Sequence, residues 1–403
     1  MKILLVHNFY QSSSPSGEDA VFRVEKELLE NRGSGVRVAT YERHNDEIGK
    51  YPFFKKITLP FKTTWSHESY REIKHIIKKE KPDIVHFHNI FYLISPSAYY
   101  ACKDAGIPAV QTLHNFRLFC VNGLLMRDGG VCEECTGRLP WRGVIHGCYR
   151  GSRLYSVPVA LMESFHRFMG TWGDKVDAYI ALTEFGKRKY IECGLPAEKI
   201  FVKPNFLSNP PEPDYSNSEY GAFLGRLSAE KGLDTLIDAV KILQSITPDH
   251  FPVKIIGDGP LRRQLEDRLR AERIKNIELT GRKSFDECME LLKGARFMVM
   301  PSVWYECFPM TIREAFACGK PVIASRLGSM AELVEDGRTG FLFEPGSSED
   351  LASKIKWMFE NKDACIEMGK NARAEFEAKY TAEKNYEILM GIYEGVIGLR
   401  HKA

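Results

Sequence analysis

The sequence predicts an α/β protein made of two doubly wound, Rossmann-like parallel sheets. Three observations carry this. Short apolar runs alternate with helix-length amphipathic segments along the chain, the pattern of parallel strands covered on both faces. The rhythm stops once, at 205–219, and then restarts. A length of 403 residues also exceeds what one hydrophobic core ordinarily uses. Apolar residues make up 44% and charged residues 27%, as in a globular chain, so disorder is not indicated. No apolar run approaches the roughly 18 residues of a membrane span. The opening "MKILLV" has too short an apolar core for a signal peptide and reads as a first strand, so the expected location is the cytoplasm.

Taken in order, "KILLVHNF" and "VRVATYE" flank a helix pattern at 18–31. "DIVHFHN" and "PAVQTLHN" flank another at 95–105, and "DAYIALT" precedes a helix at 184–193. These elements make an N-terminal domain over 1–205, carrying a cysteine- and glycine-rich insertion at about 115–150. The segment "NFLSNPPEPDYSNSE" (205–219) is the best linker in the chain. After it come "GAFLGR", a helix at 232–244, "VKIIGDG", a helix at 260–271, "IELTG" and a helix at 284–292. "ARFMVMPS", a helix at 310–317, "PVIAS" and a helix at 329–335 complete a C-terminal domain over 206–380. Residues 381–403 read as a final helix that packs back on the first domain. In two such domains facing across a cleft, ligands sit outside the carboxyl ends of the strands, so the loops there carry the function.

Charge is uneven. Residues 1–205 hold 29 basic against 22 acidic side chains, and residues 206–403 hold 27 against 31. A basic half beside an acidic half points to an anionic partner for the first. Nucleic acid is excluded, because the excess is modest and no recognition motif accompanies it. "YPFFKKITLPFKTTW" (51–65) interleaves aromatic rings with lysines and suits an anionic membrane surface at the inner face of the membrane. The alternative is a solvated loop with its aromatics tucked into the core.

Two stretches look chemical. "GRLSAEKG" (225–232) is a strand-to-helix turn that places Arg226 and Lys231 near a helix N-terminus, where two cations and free N–H groups suit a diphosphate. "WYECFPMTIREAF" sets Glu306 and Glu314 eight positions apart around Pro309. Proline is favoured at the first helical position, so a helix begins near 309, with Glu306 in the loop before it and Glu314 about one turn inside. The roughly 12 Å that eight helical residues span is too far for a shared proton. The pair therefore suits the two ends of one hydroxyl-rich, anionic ligand. "SPSGED" (14–19) gives the first domain a comparable glycine turn after its first strand.

"GRLSAEKG", "IIGDGP", "ECFPMTIREAFACGKPVIAS" and "ELVEDGRTGFLFEPGSSEDLA" together resemble the retaining glycosyltransferases of the GT-B fold, family 4, over almost the whole chain. The resemblance implies transfer of a hexosyl unit from a nucleotide sugar, UDP-sugar before GDP-sugar, to a glycan or lipid-linked acceptor. It also implies retained anomeric configuration, no catalytic cofactor and a role in surface polysaccharide biosynthesis. On matched positions, Arg226 and Lys231 would bind the donor diphosphate, Glu306 would face the sugar and Glu314 would hold ribose hydroxyls. The amides of Phe308, Met310 and Thr311 would lie near sugar and phosphate, Gly17 near the phosphates, and His114 of "TLHN" would be the active-site histidine. Cys307 stands where the family usually has glycine, so this loop should not need positive φ there. His86 and His88 fall on one face of a buried strand and read as structural. Two other classes stay open: a GT-B-fold nucleotide-sugar isomerase, and a non-catalytic sugar-nucleotide-binding module stapled by zinc.

Cys120, Cys132, Cys135 and Cys148 cluster as C-x11-C-x2-C-x12-C in the insertion. In a cytoplasmic chain that pattern suggests a structural zinc, with an iron–sulfur cluster or unligated thiols as alternatives. Four thiolates would leave zinc no open position, so the expected role is to hold an acceptor-side loop.

Overall fold

The computed structural model describes residues 1–13, 16–31, 35–216, 219–247 and 250–400. Ser14 and Pro15 of the first-domain turn, Asn217 and Ser218 of the linker, and residues 401–403 of the tail lie outside them. The chain divides into two compact units. One comprises 1–125, 132–205 and 385–403, and the other comprises 126–131 and 206–384.

Through residue 205 the strands are β1 (Lys2–Phe9), β2 (Arg37–His44), β3 (Ile84–Phe87), β4 (Ala109–Thr112), the short hairpin strands β5 (Met126–Arg127) and β6 (Gly130–Val131), β7 (Ala178–Ala181) and β8 (Ile200–Val202). β5 and β6 group with the second unit. The helices are α1 (Gly17–Asn31), α2 (Phe53–Thr64), α3 (His67–Glu80), α4 (Ser97–Asp104), α5 (Trp141–Ile145), α6 (Arg153–Phe168), α7 (Thr171–Asp174) and α8 (Glu184–Glu192). The sheet runs β2-β1-β3-β4-β7-β8, all parallel. Its central strands are buried on both faces and mostly apolar, with His7, Asn8, His86, Gln111 and Thr112 as buried polar exceptions.

In the second unit the strands are β9 (Gly221–Leu224), β10 (Val253–Ile256), β11 (Ile277–Gly281), β12 (Phe297–Met300), β13 (Val322–Ser325) and β14 (Gly340–Phe343). The helices are α9 (Leu233–Ile246), α10 (Arg262–Ala271), α11 (Phe285–Lys293), α12 (Met310–Ala317), α13 (Gly328–Leu333), α14 (Ser348–Glu360) and α15 (Lys362–Lys379). The order is β11-β10-β9-β12-β13-β14, again parallel, and its direction reverses between β9 and β12. That reversal opens a crevice at the strand ends. The last helix, α16 (Ala382–Arg400), lays Leu389, Ile392, Tyr393 and Val396 into the core formed by β1, β3, β4 and β7.

Two sequence expectations change in detail. Residues 53–64 form a helix, not a loop, and its aromatics are not tucked away: Phe53, Phe54 and Phe61 are exposed. Pro60 sits inside that helix, which hides it from a rule that reads proline as a breaker. At the other end of the chain, Pro309 is the residue that caps α12, and Met310 takes the first helical position.

Candidate active site

The crevice of the second unit is built from two loops. One links β9 to α9 and the other links β12 to α12. The Val303 amide donates to the Glu230 carbonyl at 3.0 Å, tying the loops together. Gly232 makes the close approach possible: it has a φ of +67°, and a Cβ there would lie 1.9 Å from the Pro301 carbonyl oxygen. Only glycine tolerates both demands.

This junction brings Lys231 onto Glu306, with Nζ 2.6 Å from Oε1. The same oxygen accepts from Ser302 Oγ at 2.8 Å and from the Trp304 indole N–H at 2.9 Å. The Lys231 ammonium also stands 5.8 Å from the centroid of the Trp304 ring. Three donors converging on one buried carboxylate oxygen fix the side chain of Glu306 and leave its Oε2 for a ligand. Arg226, on the same strand-to-helix loop as Lys231, is exposed.

Glu314 lies on the buried face of α12 and accepts from Arg313 Nη2 at 3.0 Å. Burial raises its carboxyl above the ordinary range, against the pull of Arg313. Arg313 is anchored in turn by the Phe206 carbonyl. Met310 and Thr311 open α12, where amides lack intrahelical partners, and Phe308 is buried against the Tyr380 ring. Cys307 is not among the described residues with positive φ, in line with a loop that does without glycine there.

In the first unit the sheet order reverses between β1 and β3. Gly17 is the first residue of α1 and has open space where a side chain would stand. Beside it, Asp19 holds the turn, accepting from His7 Nε2 at 2.9 Å and from the amides of Tyr10 and Ser16. Glu18 accepts from Asn115 Nδ2 at 2.6 Å while its Oε2 has no partner, and burial pushes its pKa up to about 7.

His114 follows β4 and joins a buried chain of polar groups. Its Nε2 lies 3.0 Å from His88 Nδ1, and His88 Nε2 lies 3.1 Å from Glu25 Oε1. The other oxygen of Glu25 takes Lys203 Nζ at 2.7 Å, and Lys203 also reaches Asn385 of α16. His86 Nδ1 is 3.2 Å from Glu25 Oε1 and 2.7 Å from the Tyr393 hydroxyl. Burial pushes Glu25 up, but Lys203, His88 and the bonds from His86 and His88 outweigh it and hold the carboxyl well below its usual range.

An ionised carboxylate only accepts, so His88 donates from Nε2 and its Nδ1 is a lone pair. His114 must then donate from Nε2, which leaves Nδ1 as an acceptor with no hydrogen bond among the described residues. Burial lowers His88 to about 4 and His114 well below its ordinary value, so both rings are neutral. His114 thus offers a fixed acceptor suited to a ligand hydroxyl.

Glu25, His86 and His88 form the only group of three or more ligating side chains within coordination reach of one another among the described residues. Lys203 already supplies a positive charge to Glu25, so the cluster needs no cation to balance it. The four cysteines of the insertion are not gathered in this way. Cys120 is buried and donates to Asn122 Oδ1 at 3.0 Å. Burial, with Cys120 and Cys148 nearby, pushes Cys135 up to about 12. Glu163 is buried in the same neighbourhood and neither of its carboxyl oxygens has a partner.

Glu18, Glu25 and Lys203 were not legible as site residues. The available signal was a glutamate at a core position of α1, in line with Val21, Phe22, Leu28 and Leu29.

Comparison with known proteins gives the same division. Residues 21–208 match the model described as Glycosyltransferase Family 4, and residues 209–375 match Glycosyl transferases group 1. An uncharacterized glycosyltransferase of Methanocaldococcus jannaschii is 32% identical over 344 residues, covering 82% of this chain and 88% of that protein. An uncharacterized protein of the cps region of Klebsiella pneumoniae is 24% identical over 359 residues, covering 83% and 87%. Among solved structures, Anabaena HepE in complex with UDP superposes with a TM-score of 0.65 at 20% identity, over 97% of this chain and 99% of that one. The fold is therefore GT-B.

Proposed function

Because the chain belongs to the group 1 glycosyl transferases with a family 4 N-terminal module, we propose that it moves a hexosyl unit from a nucleotide sugar to a glycan or lipid-linked acceptor. The observation that carries this is the crevice at the ends of β9 and β12, where Lys231, Glu306 and the start of α12 converge. Arg226 and Lys231 bind the donor diphosphate, and the amides of Met310 and Thr311 at the start of α12 add to the field that attracts it. Glu314 grips the ribose hydroxyls and Glu306 faces the sugar. His114 accepts a hydrogen bond from a sugar hydroxyl, and Gly17 lets the first-unit backbone approach the phosphates. The anomeric configuration is retained by a front-face route in which a donor phosphate oxygen takes the acceptor proton.

UDP-sugar is favoured, since HepE binds UDP, and GDP-sugar comes next. Surface polysaccharide assembly is the favoured setting, in keeping with the cps-region relative. In the insertion, the four thiols are read as ligands of a structural zinc that would draw them together, and metal analysis of freshly reduced protein tests this.

The decisive experiment is transfer from a panel of UDP- and GDP-sugars with product anomers read by NMR. An inverted product would end the front-face route. Epimer formed without acceptor would favour the isomerase, and nucleotide binding without turnover the non-catalytic module.

A further inference from the structure

The exposed apolar residues of this protein are concentrated. Twelve of the eighteen large hydrophobic side chains exposed among the described residues fall in 53–61 and 139–169, which is far from the scatter expected of a surface with no partner. All but Leu139 and Met169 belong to α2, α5 and α6, and both α2 and α5 pack on α6. His166 Nε2 of α6 bonds the Thr64 carbonyl at the end of α2 at 2.8 Å, which fixes the first of these pairings.

Each helix points an apolar edge outward. On α6, Leu154, Leu161, Phe165 and Phe168 are spaced by seven, four and three residues, so they form one stripe along the helix, and Leu154 and Phe168 are 77% and 89% exposed. The opposite edge of the same helix, with Val159, Ala160 and Met162, is buried in the core. On α2, Phe53, Phe54 and Phe61 lie on one side, and Phe54 is 80% exposed. A helix that buries one face and still exposes a second apolar face has an unfilled contact.

The charged residues of these segments are nearly all basic, with Arg142 paired to Glu134 at 3.3 Å and Lys62 to Glu68 at 3.0 Å from outside them. Residues 51–65 and 138–168 contain eight lysines and arginines and a single acidic residue, Glu163, which is buried. Lys56, Arg138, Arg142, Arg150 and Arg153 are exposed. Aromatic and aliphatic tips framed by cations match an anionic lipid surface, into which rings insert while lysine and arginine heads stay at the phosphates. Pairing with a second copy would set this basic face against itself, because a two-fold interface brings the same patch together from both chains.

We infer that the α2–α5–α6 face docks the protein on an anionic bilayer, with Phe54, Phe61, Leu154 and Phe168 entering the interface. The inference does not depend on which donor is used.

The test is co-sedimentation of the full chain with vesicles of phosphatidylcholine alone and of phosphatidylcholine mixed with phosphatidylglycerol. Binding is expected to the mixed vesicles, to weaken in high salt, and to be at least roughly tenfold lower with phosphatidylcholine alone. The double substitution Phe54→Asp and Phe168→Asp should abolish it, and Lys56→Glu with Arg153→Glu should lower it about tenfold, both with an unchanged thermal transition. These positions are exposed, so folding is spared. No binding to mixed vesicles, equal binding to both kinds, or full binding by the phenylalanine variant would overturn the inference. So would a dimer in light scattering that Phe168→Asp dissolves, since the face would then belong to a second copy.

Discussion

Replacing Lys203 by methionine, one heavy atom shorter, keeps most of the buried apolar stem and removes the ammonium with its bonds to Glu25 and Asn385. In the protein Lys203 Nζ sits 2.7 Å from Glu25 Oε2, and neither residue is more than 1% exposed. Losing one partner of such a pair leaves a buried carboxylate uncompensated, which costs about 3–5 kcal/mol. For a unit of this size each kcal/mol moves the melting temperature by about 2–4 °C, so the first unit should melt roughly 6–20 °C earlier. Glu25 can escape part of the cost by taking a proton, which favours the lower end. A protonated Glu25 also donates, so the one-directional chain through His88 to His114 is lost and turnover should fall with it. Differential scanning calorimetry reads the stability, and the second unit serves as an internal reference because its transition should not move. Adding Glu25→Gln should restore much of the loss, as a neutral pair replaces an orphaned charge. A Lys203→Met protein that melts within about 2 °C of the wild type, or a double variant with simply additive losses, would refute the reasoning.

Four further outcomes are expected. His114→Ala should lose most turnover with nucleoside diphosphate affinity nearly intact, which steady-state kinetics beside titration calorimetry would check. Glu306→Gln should lower kcat while nucleotide affinity holds or rises, because Lys231 is released from its ion pair. Glu314→Gln should instead weaken nucleotide binding by roughly 1.5–3 kcal/mol, the range for hydrogen bonds to a charged group; the reverse pattern would exchange the two roles. On acidification the first unit should lose stability before the second. His7, His88 and His166 fall from 6.5 to about 4 on burial, and His114 falls well below 6.5. The unfolded chain therefore binds protons that the folded chain refuses, so this stability is complete above pH 6.5 and drains away as pH falls toward 4. Thermal scans across that window showing both transitions falling in parallel would contradict the assignment.

Much of this protein was legible without coordinates. The alternation of short apolar runs and amphipathic segments determined two parallel sheets, because strands buried on both faces must be apolar throughout while their covering helices need only one such stripe. The places of Arg226, Lys231, Glu306 and Glu314 in the fold were readable too, since each sits at a strand end or helix start where chain order alone puts it. The rest depended on groups distant in the chain. Glu25, His88, His114, Lys203 and Tyr393 come from a helix, two strand ends, the stretch after β8 and the last helix, and a lone lysine or glutamate in any of them reads as surface. The joining of Lys231 to Glu306 required the sheet order to put β9 beside β12. Spacing in the sequence records periodicity and local turns, whereas charge pairing in the interior is chosen by which strands become neighbours, and only the tertiary fold decides that.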